Sequence, residues 1–470
     1  MSYVLCLALT ILVAIVGAVN LNCPNNQWIE KYLNDTYIPG AAIVVVNGTH
    51  TLYEHAFGYH SISPPQLMDV EKSIFGIASI SKTIIAVAVM QLVEKELVDL
   101  DTDINHYLSE PHRRIFHPKY PSHSITLRKL LSHSSSIAVD EGIQLGLYRL
   151  GDTAFEQATL AETLFANLNP NTSNWLPKPP GTVSFYSNDG SSLAGLVVER
   201  VTNMSFDLYV KEKIMQPLGV DLSKVGVRLA DFSNREELVK HNAYAFNEPD
   251  FNAWTQGVPQ LNVTKLSENF PTWLNIPFFG FSVYPSGLFR MSARSLSKFL
   301  QMFMNNGSNL ISPKSIAEMK IVVGGGLIPY YDPSGIANTS VVAPPSFGLS
   351  WTWQTLKDGR RYIGHSGTLP GSRHWMIVNE KNTVGVIILS NGDSNVPSDR
   401  SQEYYKLLEN IHLALFECFE AEVVKSSACQ YSHSVYDILK HMYDESIASQ
   451  IELIPRNSLR TLFNASEHFY

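Results

Sequence analysis

Segments patterned as strands stand at both ends of this chain, and the stretch between them is patterned mainly for helices. Ala41 to Asn47 is a short apolar run rich in β-branched residues. Asn47-Gly48 is a hairpin signal, and Thr51 to Tyr59 reads as the returning strand. Towards the other end, Gly348 to Gln354, Arg361 to His365, Ser372 to Asn379 and Thr383 to Ser390 read as successive antiparallel strands, with a turn at Asn379-Glu380-Lys381-Asn382. Strands must find partners. The economical pairing is a single antiparallel sheet built from both ends, with a helical insertion between them. The expected fold class is therefore α/β in the α+β sense, an antiparallel sheet flanked by helices.

Helical signals fill in the rest. Residues 24–37 read as an opening helix with Trp28, Tyr32 and Leu33 on one side. Thr126 to Leu131, Thr159 to Asn167, Ser191 to Val201, Phe206 to Met215, Ser292 to Met304 and Ser312 to Met319 read as helices, and Ser401 to Phe419 as a closing one. Residues 225–285 are irregular and rich in aromatics, Asn and Pro, which suits a long decorated region forming a pocket wall. Residues 421–470 read as a C-terminal extension without a motif.

With 470 residues, 45% hydrophobic and 17% charged, the chain is globular and ample for a core. A net charge of -8 with no basic cluster argues against nucleic acid as a partner. The sequence contains no His-Glu-x-x-His, no Gly-x-x-x-x-Gly-Lys and no Gly-x-Gly-x-x-Gly, and its cysteines lack metal-ligand spacing. No metal and no cofactor is expected.

Tyr3 to Val19 is a nearly unbroken apolar run, with small residues at Val16-Gly17-Ala18. Residues 1–19 read as a secretory signal peptide, with a single membrane anchor as the competing reading because a basic n-region is missing. Asn-x-Ser/Thr sequons at Asn34, Asn47, Asn171, Asn203, Asn262, Asn306, Asn338 and Asn464 fit a glycoprotein that is secreted or held in a secretory lumen. Beyond Cys6, the cysteines are Cys23, Cys418 and Cys429. They allow a local Cys418–Cys429 bridge, a Cys23–Cys418 bridge joining the two ends, or three free thiols.

Candidate chemistry begins in Phe75 to Leu92, where an apolar helical pattern carries Ser79 and Lys82 at its head. Residues three apart share a helix face, so the hydroxyl and the amine can meet, as a serine nucleophile with a lysine base requires. The same pattern recurs at Ser295 and Lys298. Further on, Pro179-Pro180-Gly181 is a stiff turn that delivers Tyr186 and Asn188. Two apart in an extended segment, they point to the same side.

The ordered set Ser79-x-x-Lys82, Tyr186-x-Asn188, His365-x-Gly367 resembles the serine β-lactamase and penicillin-binding-protein superfamily. It is most similar to class C β-lactamase-like proteins, including D-aminopeptidases, carboxypeptidases, esterases and eukaryotic β-lactamase-like proteins. Supporting phrases are Leu130-Leu131-Ser132-His133-Ser134-Ser135, Gln216-Pro217-Leu218-Gly219, Pro285-Ser286-Gly287-Leu288 and Gly364-His365-Ser366-Gly367. The likeness covers most of residues 25–415, and it selects Ser79 over Ser295 because only Ser79 precedes the other two motifs.

The resemblance implies a hydrolase domain over 24–420, with a sheet lobe at about 24–95 and 290–420, an all-helical lobe at about 96–289, and a site between them. It implies a serine hydrolase acting through an acyl-enzyme on an ester or an amide in a small molecule or peptide. Ser79 would be the nucleophile and Lys82 with Tyr186 the acid–base pair. Asn188, His365, Gly367 and Thr368 would bind substrate, with the backbone N–H groups of Ser79 and Thr368 as oxyanion donors. His365 departs from the lysine that many members carry. A histidine with a reference pKa of about 6.5 is mostly neutral at pH 7, which weakens the case for carboxylate-bearing substrates. Ser136 stands where relatives often have glycine. The alternative from a different class is a retained fold used for binding or assembly with little or no turnover.

Overall fold

The computed structural model describes residues 23–108, 113–332, 345–393 and 404–420. The two ends of the chain meet in one antiparallel sheet. Strands β1 (Gly40–Val46), β2 (Thr51–Ile62) and β3 (Pro65–Leu67) come from the first part of the chain. Strands β4 (Ser346–Phe347), β5 (Thr352–Thr355), β6 (Arg361–Leu369), β7 (Ser372–Asn379) and β8 (Gly385–Ser390) come from the last. Their order across the sheet is β4-β5-β6-β7-β8-β1-β2-β3. The junction is the β1–β8 pair, with Ala42 opposite Leu389 and Val44 opposite Ile387.

Helices α1 (Asn26–Asp35), α2 (Ser81–Glu94), α3 (Asn188–Thr202), α4 (Ala293–Met304) and α5 (404–420) frame this sheet and the site. Strands β1, β7 and β8 are buried along their whole length, so both faces are covered and the strands read as continuous apolar runs. Helix α4 lies across β1 and β8 on one face. On the other, Phe416 and His412 of α5 pack against Tyr362 and Trp375 at ring distances of 4.7 and 4.9 Å.

Helix α1 starts where Asn25 accepts a hydrogen bond from the Trp28 N–H at 3.0 Å. It buries Ile29 and Leu33. Trp28 and Tyr32 instead pack on each other with tilted rings 5.2 Å apart, and Trp28 is exposed, so the buried face is rotated from the one expected. A Cys23–Cys418 disulfide ties the residue before α1 to α5, with the two Cα atoms 5.8 Å apart. It spans 395 residues. Loop-closure entropy puts its effect on the unfolded chain at roughly 6 kcal/mol.

Helix α2 is buried from Ser81 to Leu92, which explains why its apolar residues run around the whole helix rather than along one stripe. The insertion holds the expected short helices, capped by Thr126 and by a Thr159–Glu162 capping box. Within 96–289, expected to be helical, a small sheet also forms. It pairs His241–Ala245, Thr264–Lys265 and Thr272–Ile276 and ends on Gly392–Asp393 from beyond β8. Two- to five-residue strands between turns are too short to show a period, so the sequence there reads as irregular.

Among the described residues, no helix is long and apolar enough to cross a membrane, and no group of His, Cys, Asp and Glu could hold a metal ion. The expected signal segment, Cys6, Cys429, Asn338, Asn464 and the extension 421–470 lie outside the described residues.

Candidate active site

Ser79 does not lie in α2 itself. It sits in a tight Ala78–Ile80 turn just ahead of it, and Ala78 is held at φ 51°, a left-handed conformation that costs a non-glycine residue energy. Several contacts impose that turn. The preceding strand, Ile74–Gly76, pairs with Arg290–Ser292, and the Ile77 N–H donates to Phe289 O at 2.8 Å. From above, β6 presses on the turn at Gly367. A Cβ there would come within 2.7 Å of Ile77 O and 2.9 Å of Ala78 Cβ, so only glycine fits.

Lys82 is fully buried, and its amine meets three oxygens. It is 3.0 Å from Ser79 Oγ, 2.7 Å from Asn188 Oδ1 and 2.7 Å from the Ser286 carbonyl oxygen. The last two are acceptors only in this arrangement and together engage two N–H bonds. The third position of Nζ faces Ser79 and holds either a proton or the free electron pair. Burial holds the amine well below the ordinary lysine value, while the negative charge of Asp189 works in the opposite direction.

Asn188 does not extend the strand-like approach that carries Tyr186. It opens α3, with Ser187 as the capping residue, accepting from the Gly190 N–H at 3.0 Å. A helix started there turns the amide toward Lys82, 106 positions away in sequence. The Ser286 carbonyl comes from the Tyr284–Ser286 turn, which α3 approaches at Gly195, where an added Cβ would be 2.9 Å from Pro285 Cβ.

Tyr186 lines the cavity beside Ser79, and its ring lies 4.9 Å from Lys82 Nζ. Burial pushes this phenol above its ordinary value, so it rests protonated and is a proton donor before it is a base. His133 clamps the segment that carries it. The His133 carbonyl accepts from the Phe185 N–H at 2.7 Å, its Nδ1 accepts from the Ser187 N–H at 3.2 Å, and its ring packs 4.4 Å from that of Tyr186. Three residues on, Ser136 holds φ 62° with a serine side chain, so the loop keeps the backbone that glycine would allow.

In the sequence His133 stands out only as part of Leu130-Leu131-Ser132-His133-Ser134-Ser135, and nothing local marks the Ser286 carbonyl, Gln144 or Asp189. Asn188 Nδ2 donates to Gln144 Oε1 at 2.7 Å, and Gln144 Nε2 donates to Asp189 Oδ2 at 3.2 Å. The pairing of Gln144 with Asp189 spans 45 positions, and no local pattern announces it.

A cavity of about 490 Å³ opens over Ser79. Tyr186, Asn188, His365 and Thr368 line it together with Gln144, Tyr148, Trp254 and Val258. The structure thus brings Ser79, Tyr186, Asn188, His365 and Thr368 to one cavity, with Lys82 and Gly367 packed against its floor. The wall from Ala253 to Val258 comes from the region expected to supply it. His365 is buried, with Nδ1 2.5 Å from the Ser366 carbonyl oxygen. Burial, then the charge of Lys82, push its pKa down to about 3, so the ring is neutral at pH 7.

This fold and this cavity define a class. A family model described as Beta-lactamase matches residues 25–411, and the chain belongs to that family. It is 22% identical over 386 residues to Penicillin-binding protein 4* of Bacillus subtilis, covering 82% of this chain and 75% of that one. It is 22% identical over 424 residues to Protein flp of Staphylococcus aureus (strain MRSA252), covering 86% and 68%. Among solved structures, the octameric penicillin-binding protein homologue from Pyrococcus abyssi superposes with a TM-score of 0.61 at 20% identity, over 85% of this chain and 80% of that one. The D-amino acid amidase from Ochrobactrum anthropi SV3 complexed with D-phenylalanine gives 0.61 at 18% identity, over 85% and 99%.

Proposed function

We propose that the chain is a serine hydrolase that cleaves uncharged esters or amides through an acyl-enzyme on Ser79, with Lys82 and Tyr186 moving the protons. Membership of the beta-lactamase family, and likeness to a D-amino acid amidase fold, support serine-hydrolase acyl transfer in general. The observation that carries the finer reading is the set of three oxygens around Lys82 Nζ. Two hold its hydrogens, so the free pair of a neutral amine is directed at the Ser79 hydroxyl.

In acylation the Ser79 O–H proton passes to Lys82 Nζ, and Oγ bonds to the substrate carbonyl carbon. The carbonyl electron pair moves onto oxygen, in the hole between the backbone N–H groups of Ser79 and Thr368. Collapse of that intermediate expels the alcohol or amine, which takes a proton from Tyr186. The Lys82 ammonium then returns the proton it took from Ser79 to the Tyr186 phenolate. In deacylation a water gives a proton to Tyr186, which passes its own to neutral Lys82, and attacks the acyl carbon; collapse releases the acid and Ser79 Oγ, which takes its proton back from the Lys82 ammonium.

A neutral His365 supplies no fixed cation, so a carboxylate beside the scissile bond would enter unpaired. We also propose a secretory-lumen or extracellular setting, through a signal peptide or a retained anchor. The Cys23–Cys418 disulfide supports an oxidising compartment, and the sequon asparagines Asn34, Asn171, Asn203, Asn262 and Asn306 are exposed.

The test is a matched panel of esters and amides, each acyl group with and without a free carboxylate next to the cleaved bond. The neutral members should turn over with an initial burst, and the carboxylates should show kcat/KM at least about tenfold lower. No turnover of any member by protein that melts cooperatively, or a preference for the carboxylates, would sink the reading.

A further inference from the structure

Behind Lys82 the hydrogen bonds continue into the protein, beyond anything the proposed steps use. Lys82 Nζ donates to Asn188 Oδ1 at 2.7 Å, Asn188 Nδ2 to Gln144 Oε1 at 2.7 Å, and Gln144 Nε2 to Asp189 Oδ2 at 3.2 Å. The other oxygen of Asp189 accepts from Asn167 Nδ2 at 2.8 Å. Asp189 is fully buried in the first turn of α3, where the helix dipole favours a negative charge.

The two ends of this chain set its direction. An ionised carboxylate only accepts, so Gln144 must turn its Nε2 to Asp189 and its Oε1 to Asn188. Asn188 must then turn its Nδ2 to Gln144, which leaves Oδ1 for Lys82. With an amide in place of the carboxylate, both side chains are free to reverse. Asn188 would then offer Nδ2 to Lys82, and the free pair of the amine would be drawn to Asn188 instead of Ser79.

We propose that Asp189 is a positioning residue for the reaction: acting through Gln144 and Asn188, it keeps the free electron pair of Lys82 aimed at Ser79. This rests on the reading of Ser79 as nucleophile. The charge of Asp189 has a second consequence, because an anion near Lys82 favours the ammonium and delays its deprotonation as pH rises. The titratable groups that face Lys82 are His133, Tyr186, His365 and Asp189, from three separate segments, Tyr186 and Asp189 sharing one. The two histidines are held neutral by burial, and Tyr186 is held in its phenol form, which leaves Asp189 as the charge acting on the amine. Burial holds the Asp189 carboxyl above the ordinary aspartate value, and hydrogen bonds from Asn167 and Gln144 oppose that rise in part.

The experiment measures inactivation of the full chain by a fluorophosphonate probe from about pH 5 to about pH 10, separating the maximal rate from the half-saturating concentration. Wild type, Asp189→Asn and Gln144→Met are compared, with a thermal midpoint for each. Asp189→Asn should lower the maximal rate by about tenfold and move its acid limb to lower pH. Gln144→Met should lower the maximal rate and leave the limb near that of wild type, since the charge remains. A purely structural role would lower the midpoint while leaving the rate per folded molecule and the limb unchanged, and that result overturns the proposal. If Asp189→Asn does not fold, an unchanged maximal rate in Gln144→Met overturns it instead. A wild type that is never labelled refutes the Ser79 reading. A labelled wild type with an indifferent Asp189→Asn refutes only the role of Asp189.

Discussion

Ser79–Lys82 and Ser295–Lys298 share a four-residue pattern and have opposite surroundings. Lys82 is sealed in the core with three oxygens on its amine. Lys298 is partly exposed on α4, where its amine donates to the carbonyl of Gly219 and lies near Asp221. Ser79 faces a cavity and a phenol, whereas Ser295 is buried and accepts a hydrogen bond from Ser292, the residue that caps α4. The spacing puts a hydroxyl and an amine on one face in both places. What separates them is burial of the amine, which favours its neutral form, and acceptors that use up its other hydrogens.

The comparison is broken most severely by removing the hydroxyls. Ser79→Ala should cut ester hydrolysis by about a thousandfold or more, and Ser295→Ala should leave kcat/KM within about twofold. Next come the amines. Lys82→Met should cost between about a hundredfold and ten thousandfold in kcat and keep or raise the melting temperature, because a buried basic group is replaced by an apolar one of similar length. Lys298→Met should leave kcat within about twofold.

The burial of Lys82 also makes stability depend on pH. Burial lowers the pKa of Lys82 in the folded state, so between that value and about 10.4 the unfolded chain binds more protons. Stability contributed at this site therefore rises with pH across that window. The melting-temperature advantage of Lys82→Met over wild type should shrink as pH rises, a trend that paired melts would show. A smaller effect comes from the ring beside the first pair. His365→Lys should improve relative kcat/KM for carboxylate-bearing substrates by about tenfold. Last comes acid sensitivity. His365 and His374 are pushed to about 3 and His241 and His412 to about 4. Each binds a proton in the unfolded chain first, so stability should fall as pH drops from about 6.5 towards these values.

The sheet built from both ends was legible because its strands are long enough to show a pattern, and the helices starting at Thr126, Thr159 and Ser312 were legible because the chemistry that starts them is local. The three motifs were legible as an ordered set. Their exact backbone was not: Ala78 takes a left-handed φ because β6 and the Ile74–Gly76 strand force it, and Asn188 opens a helix instead of closing an extended segment. Gln144 and Asp189 were invisible because their meaning lies in contacts dozens of residues away. The small sheet was hidden by the brevity of its strands. Of the three cysteine arrangements left open, the fold selects Cys23–Cys418 because α5 crosses the sheet face beside the start of α1.

The most direct measurement is intact-protein mass spectrometry after exposure to a fluorophosphonate, on wild type, Ser79→Ala and Ser295→Ala. One adduct on wild type and on Ser295→Ala, absent from Ser79→Ala, is the result predicted. An adduct that persists in Ser79→Ala, or none on folded wild type, would contradict the assignment of Ser79 as the nucleophile.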